Sequence, residues 1–155
     1  MRAAELIATG GIVMRPACNS FDEAVSGLVD CLIASGSLPP ALREPATRAV
    51  IERETVQSTA IVEIGVAVPH ARVAGVAGVV AAMAASPTAL YYAMTGVPIS
   101  IVVVVLSAPD LVGDHLDTLA GVSMLLQSAD TRRGLERAPD AGSARQVLLG
   151  GNGLR

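Results

Sequence analysis

Residues 101–106 read Ile-Val-Val-Val-Val-Leu, an apolar run without alternation, set between Pro98 and Pro109. Branched side chains of this kind favour an extended backbone, and an unbroken apolar run belongs to a strand buried on both faces. The run is far shorter than the ~20 residues a membrane-spanning helix requires. A strand over Val97–Ser107 is therefore expected inside the molecule. A second buried strand is expected over Val73–Ala84, and a short edge strand over Gly11–Arg15. With helical segments before and after these strands, the expected class is α/β: a single layered domain with a mixed central sheet flanked by helices.

The helices announce themselves by their ends. Ser20 and Glu23 have capping-box spacing, and Phe21, Ala24, Val25, Leu28 and Leu32 follow with helical period until Gly36. A second helix is expected over Ala46–Glu54, with Pro45 in its first turn. Thr55–Ala71 has no helical period and reads as a loop leading into a short strand, Gly65–Val68, closed by Pro69 and His70. After Pro109, Asp110 is expected to cap a helix reaching about Gln127, with Leu116, Leu119, Ala120, Ser123 and Leu126 as its core stripe. Short helices are expected near Thr131–Arg137 and Ala141–Leu149, followed by a loose tail at Gly150–Arg155. The expected domain covers residues 1–155, with its core between about 11 and 149.

Composition removes several classes of function. The chain has 155 residues, 52% of them hydrophobic but only 2% aromatic, so the core must be made of Ala, Val, Leu and Ile. A formal net charge of −3 with scattered arginines gives no basic stripe for nucleic acid, and the few aromatics make a poor base-stacking platform. There is no lysine, which rules out a Walker-A phosphate loop and Schiff-base chemistry. Cys18 and Cys31 form no CxxC pair and read as buried, reduced thiols. The beginning of the chain has no signal-peptide pattern, and a cytoplasmic protein without membrane insertion is expected.

Only two histidines are present, His70 and His115. Each alone is better explained by structure than by chemistry. His70 stands out because it follows an apolar strand stopped by a proline, which puts it at a strand end with small neighbours. His115 falls in the second turn of the helix after the Ile/Val strand, beside Leu116 and off the expected core stripe. A helix starting there brings His115 toward the sheet edge that carries His70, although spacing alone does not place it. A metal or hydrolytic site drawing on Cys18, Cys31 and Asp114 has no supporting ligand spacing, and no Gly-x-Ser-x-Gly elbow occurs.

Several of these segments fall in the order of a known family. Arg53-Glu54, then Ser58-Thr59, then Gly65-Val66-Ala67-Val68-Pro69-His70, then Gly96-Val97-Pro98, and finally Pro109 with His115-Leu116 resemble the EIIA domains of the mannitol/fructose and nitrogen-regulatory type. These belong to the bacterial sugar phosphotransferase system, and the resemblance runs from about Asn19 to Leu149. It implies that His70 is the phosphorylated histidine, that His115 supports the phosphoryl group, and that Arg53 is the active-site arginine. It also implies a phosphotransferase component that takes its phosphoryl group from an HPr-like phosphocarrier, with no cofactor and no metal. The partner beyond that is a regulatory target or a transporter domain. With no attached transporter segment in the sequence, a nitrogen-regulatory protein is expected ahead of a fructose- or mannitol-specific component. A non-catalytic binding module on the same fold is a third reading.

The chemistry suits the residues. A neutral imidazole offers a lone pair at neutral pH, while an arginine and a second imidazole can stabilise the charge spread over a moving phosphoryl group. Two departures from the family pattern bear on the loop before His70 and on the partner that docks there. Ala60 and Val62 stand where the family usually has glycine, and the loop is one residue longer. A β-branched residue disfavours the left-handed backbone that glycine allows. Ala71 follows the histidine where glycine is common.

Overall fold

A computed structural model describes residues 2–150. The elements run α1 (Ala3–Gly10), β1 (Ile12–Met14), α2 (Phe21–Ala34), α3 (Arg43–Val56), β2 (Ala60–Ile61), β3 (Val66–Ala67), β4 (His70–Arg72), β5 (Val79–Ala85), β6 (Tyr91–Tyr92), β7 (Pro98–Ile99), β8 (Ile101–Ser107), α4 (Val112–Gln127), α5 (Ala129–Arg137) and α6 (Ala141–Gly150). The main sheet has the order β1-β5-β8-β3-β2, and β4 pairs with β8 further along the edge that β3 occupies. It is mixed: β5 runs antiparallel to β8, whereas β3 and β4 run parallel to it. A separate two-stranded hairpin is made by β6 and β7.

Strand β8 is buried along its whole length. Its side chains alternate between two cores. Val102, Val104 and Leu106 join Val25, Leu28, Val29 and Leu32 of α2 and Ala46 and Val50 of α3. Ile101, Val103 and Val105 join Ile7 of α1, Val122 and Leu126 of α4, Leu135 of α5 and Leu148 of α6. The result is the expected α/β domain, a sheet between two helical layers.

Several boundaries differ from the sequence reading. Helix α1 was not foreseen, because eight residues with few periodic apolar positions carry little signal. Tertiary contact fixes it: a Cβ at Gly10 would lie 1.7 Å from the carbonyl oxygen of Ala81. The core thus begins before residue 11. The Val73–Ala84 segment is extended only from Val79, since Gly75 and Gly78 turn the chain with φ of +96° and +73°. The Val97–Ser107 segment is split at Ser100 into β7 and β8. The foreseen tail at Gly150–Arg155 divides: Gly150 closes α6, and 151–155 lie outside the described residues.

The ends of α2 follow the sequence. Glu23 donates its backbone N–H to Ser20 Oγ at 3.1 Å. Its carboxylate reaches one residue further back than a capping box requires, to the N–H of Asn19 at 2.8 Å. Helix α4 departs from expectation at both cap and stripe. Its N-cap is Leu111, with no side-chain cap, so Asp110 does not hold the helix start. The buried face is His115, Thr118, Val122 and Leu126, while Leu116 is 58% exposed. Leu126 is buried as expected, but in the first turns of the helix His115 and Thr118 face inward and Leu116 lies outside.

Candidate functional site

Strands β3 and β4 are one extended segment interrupted at Pro69. Ala67 lies opposite Val102 and His70 opposite Val105, so the register on β8 is kept across the proline. Pro69 has no N–H to give, but its carbonyl still accepts the N–H of Val105 at 3.1 Å. The strand therefore does not stop at Pro69, as the sequence suggested; pairing resumes at His70. Ala71 points into the α2–α3 core. Alternation then sends His70 and Arg72 to the opposite face, toward α4.

There His70 meets His115. The ring centroids are 5.3 Å apart with planes at 60°. His115 is 6% exposed, on the core face of α4 and not beside it as the sequence stripe implied. Arg53, in the last turn of α3, lines the same open cleft, together with Glu52, Val56, His70, Arg72, Val112, His115 and Leu116. All three residues singled out from the sequence are thus gathered in one place, from three different elements.

Hydrogen bonds decide what each ring can do. His70 Nδ1 lies 2.8 Å from the carbonyl oxygen of Val68, which can only accept. Nδ1 must carry a proton, so in the neutral ring Nε2 holds the free lone pair. His115 Nδ1 lies 2.6 Å from the hydroxyl of Ser107, the last residue of β8. Burial pushes the His115 pKa below the ordinary histidine value, and the neighbouring guanidinium groups of Arg72 and Arg53 push it the same way. His115 is therefore neutral at pH 7.

The two arginines leave their charge available. Arg53 makes one long bond, 3.5 Å, to the carbonyl of Gln57, and neither Arg53 nor Arg72 is ion-paired among the described residues. An open cleft with two unpaired guanidinium groups and a nucleophilic ring nitrogen suits a multiply charged anion. Among the described residues, no three His, Cys, Asp or Glu side chains come together as a metal site. Cys18 and Cys31 are half-buried, less enclosed than expected, and burial raises the pKa of both thiols.

The Arg53-Glu54 and Ser58-Thr59 pairs take different parts. The Glu54 carboxylate accepts from Ser58 Oγ at 3.2 Å, from the Thr59 N–H at 2.8 Å and from Thr59 Oγ1 at 2.9 Å. It ties the end of α3 to the start of β2, on the turn that follows Arg53. Neither Ala60 nor Val62 lines the cleft: Ala60 lies in β2 opposite Ala67, and Val62 falls in the turn at the far end of β3. Gly65 there sits against Pro98 and Ser100, roughly 15 Å along the strand from His70. The left-handed backbone falls on Gly65, at φ +67°, and not on Val62. The loop thus needs no glycine at 62.

One cleft residue, Arg72, and one residue buried beneath the cleft, Ser107, went unremarked in the sequence. Arg72 had a signal in its two-residue spacing from His70. Ser107 had one as the polar end of an apolar strand.

Comparison with known proteins gives a consistent result. The family model described as "Phosphoenolpyruvate-dependent sugar phosphotransferase system, EIIA 2" matches residues 5–150. No curated protein matches the sequence significantly. Among solved structures, the nitrogen regulatory protein IIA-Ntr from Neisseria meningitidis is similar with a TM-score of 0.74 and 25% identity, over 94% of this chain and 97% of that one. The IIA mannitol protein of Escherichia coli has a TM-score of 0.69 and 16% identity, over 90% and 96%. The complex of enzyme IIAMTL with phosphorylated enzyme IIBMTL, also from Escherichia coli, gives a TM-score of 0.69 and 15% identity, over 91% and 95%. Among the described residues no helix is long and apolar enough to cross a membrane.

Proposed function

The chain belongs to the EIIA 2 family of the phosphoenolpyruvate-dependent sugar phosphotransferase system, and from that premise we propose that it carries a phosphoryl group on Nε2 of His70. The observation that carries this reading is the Val68 carbonyl at 2.8 Å from His70 Nδ1, which leaves Nε2 as the nucleophilic nitrogen. In the transfer, the Nε2 lone pair forms a bond to phosphorus as the donor's N–P bond breaks, and that electron pair stays on the donor imidazole. The His70 ring becomes an imidazolium, and the Val68 carbonyl holds its Nδ1 proton. Arg53 and His115 stabilise the phosphoryl oxygens.

The donor in this reading is the phosphohistidine of an HPr-like phosphocarrier. A nitrogen-regulatory role is the first choice, favoured by 25% identity to the Neisseria meningitidis IIA-Ntr against 15% and 16% in the two mannitol IIA structures. The complex solved for the mannitol protein supports a second reading, in which the group passes onward to a IIB-type transporter domain. The single folding unit is proposed to span the whole chain.

The test is phosphoryl transfer from enzyme I, HPr and phosphoenolpyruvate, read by intact mass. The unmutated protein is expected to gain one acid-labile phosphoryl group and His70→Ala none, while Arg53→Gln slows uptake on the order of 10²-fold. Equal labelling of His70→Ala sinks the assignment. Loss of the label to a IIB domain favours the sugar reading; retention favours the regulator.

A further inference from the structure

Ser107 closes a row of side chains, Ile101, Val103 and Val105, that otherwise fills the α4-side core. It is fully buried and has one side-chain hydrogen bond, to His115 Nδ1. Either atom could donate in principle, and the surroundings decide between them. A serine hydroxyl must place its proton on an acceptor or leave a buried donor unsatisfied. No other acceptor among the described residues bonds Ser107 Oγ, and no buried side-chain nitrogen or oxygen is left without a partner. The Ser107 proton therefore goes to His115 Nδ1. In the neutral ring the remaining proton is then on Nε2.

We propose that Ser107 is a positioning residue, whose hydroxyl fixes His115 in the Nε2–H form so that the ring presents a donor to the anion carried by His70. The opposite tautomer would put a lone pair on Nε2 and repel a phosphoryl oxygen. Ser107 itself has no access to the cleft and acts only through His115. The inference rests on the carrier reading for its consequence, but its first measurement is independent of that reading.

Two-bond nitrogen–proton correlation spectra of the histidine-labelled, unphosphorylated protein report the tautomer directly. His115 is expected as a single Nε2–H form, and an Nδ1–H form overturns the proposal whether or not His70 takes a phosphoryl group. In Ser107→Ala, His115 is expected as a mixture of tautomers, and the lifetime of phosphorylated His70 falls on the order of tenfold. Ser107→Thr, which keeps the hydroxyl on a strand-favouring side chain, is expected to restore both. Ser107→Ala combined with His115→Ala is expected to be no worse than His115→Ala alone. An unchanged lifetime in Ser107→Ala, or a loss that adds to that of His115→Ala, overturns the proposal. Failure of any labelling at His70 would remove the carrier reading and leave the tautomer to decide this one.

Discussion

On the face of the sheet that meets α2 and α3, β8 contributes Val102, Val104 and Leu106; on the face that meets α4 it contributes Ile101, Val103, Val105 and then Ser107. The neighbouring β4 repeats the contrast. Ala71 faces the first layer, while His70 and Arg72 face the second. The two faces share strands, register and depth, and they differ only where the apolar rows end. One layer stays hydrophobic to the rim. The other exchanges its last places for a hydroxyl, two imidazoles and a guanidinium. A site can thus be made by changing the final residue of a row, while the rest of the row keeps the rigidity that positions it.

Adjacent residues on β8 should accordingly fail in different ways. The largest expected effect on stability is from Leu106→Ala, which empties a fully buried site against α2 and α3. It should cost about 2–5 kcal/mol in urea unfolding. Below the transition it should still take a full complement of phosphoryl label, in contrast to the functional loss expected one residue on at Ser107. Glu54→Ala comes next. It removes three hydrogen bonds from a partly exposed turn, for about 1–2 kcal/mol. Complete labelling at saturation would show that this polar cluster belongs to the frame and not to the chemistry.

The smallest effect is a pH slope. The His115 pKa is lowered in the folded protein, first by burial, so below the ordinary value of 6.5 the unfolded chain binds more protons. Stability then falls as pH drops through 6.5 and is flat above it with respect to this group. Melting temperatures from pH 7.5 to 5.5 should decline less in His115→Gln than in the unmutated protein. Equal declines would show that His115 is not buried in its neutral form.

Much of this was legible in the sequence. The Ile/Val run gave the central strand, and Ser20 with the apolar period of α2 gave that helix, because in both cases local preference and tertiary burial agree. His70, His115 and Arg53 were singled out together only through their family resemblance; no spacing could bring α3, β4 and α4 to one cleft. The first turns of α4 were misread by one position because Leu116 is the more hydrophobic residue and His115 the buried one, whereas Leu126 further on is buried as expected. The structure satisfies the histidine with Ser107 and leaves the leucine outside. Helix α1 was missed because Gly10 is selected by the approach of the β5 backbone, a contact more than seventy residues away in the chain.

The uninterrupted register across Pro69 also sets where the gene can gain or lose codons. An insertion or deletion of one residue between Val66 and His70 would shift the frame of the strand by one pleat and deliver His70 to the α2–α3 side, among alanines and valines. On the other side of Gly65 no such indexing applies, because the turn at 62–65 closes outside the paired segment. Length variation among relatives should therefore collect before Gly65 and be absent after it, which makes the longer loop of this chain a permitted difference and the Val66–His70 spacing a fixed one.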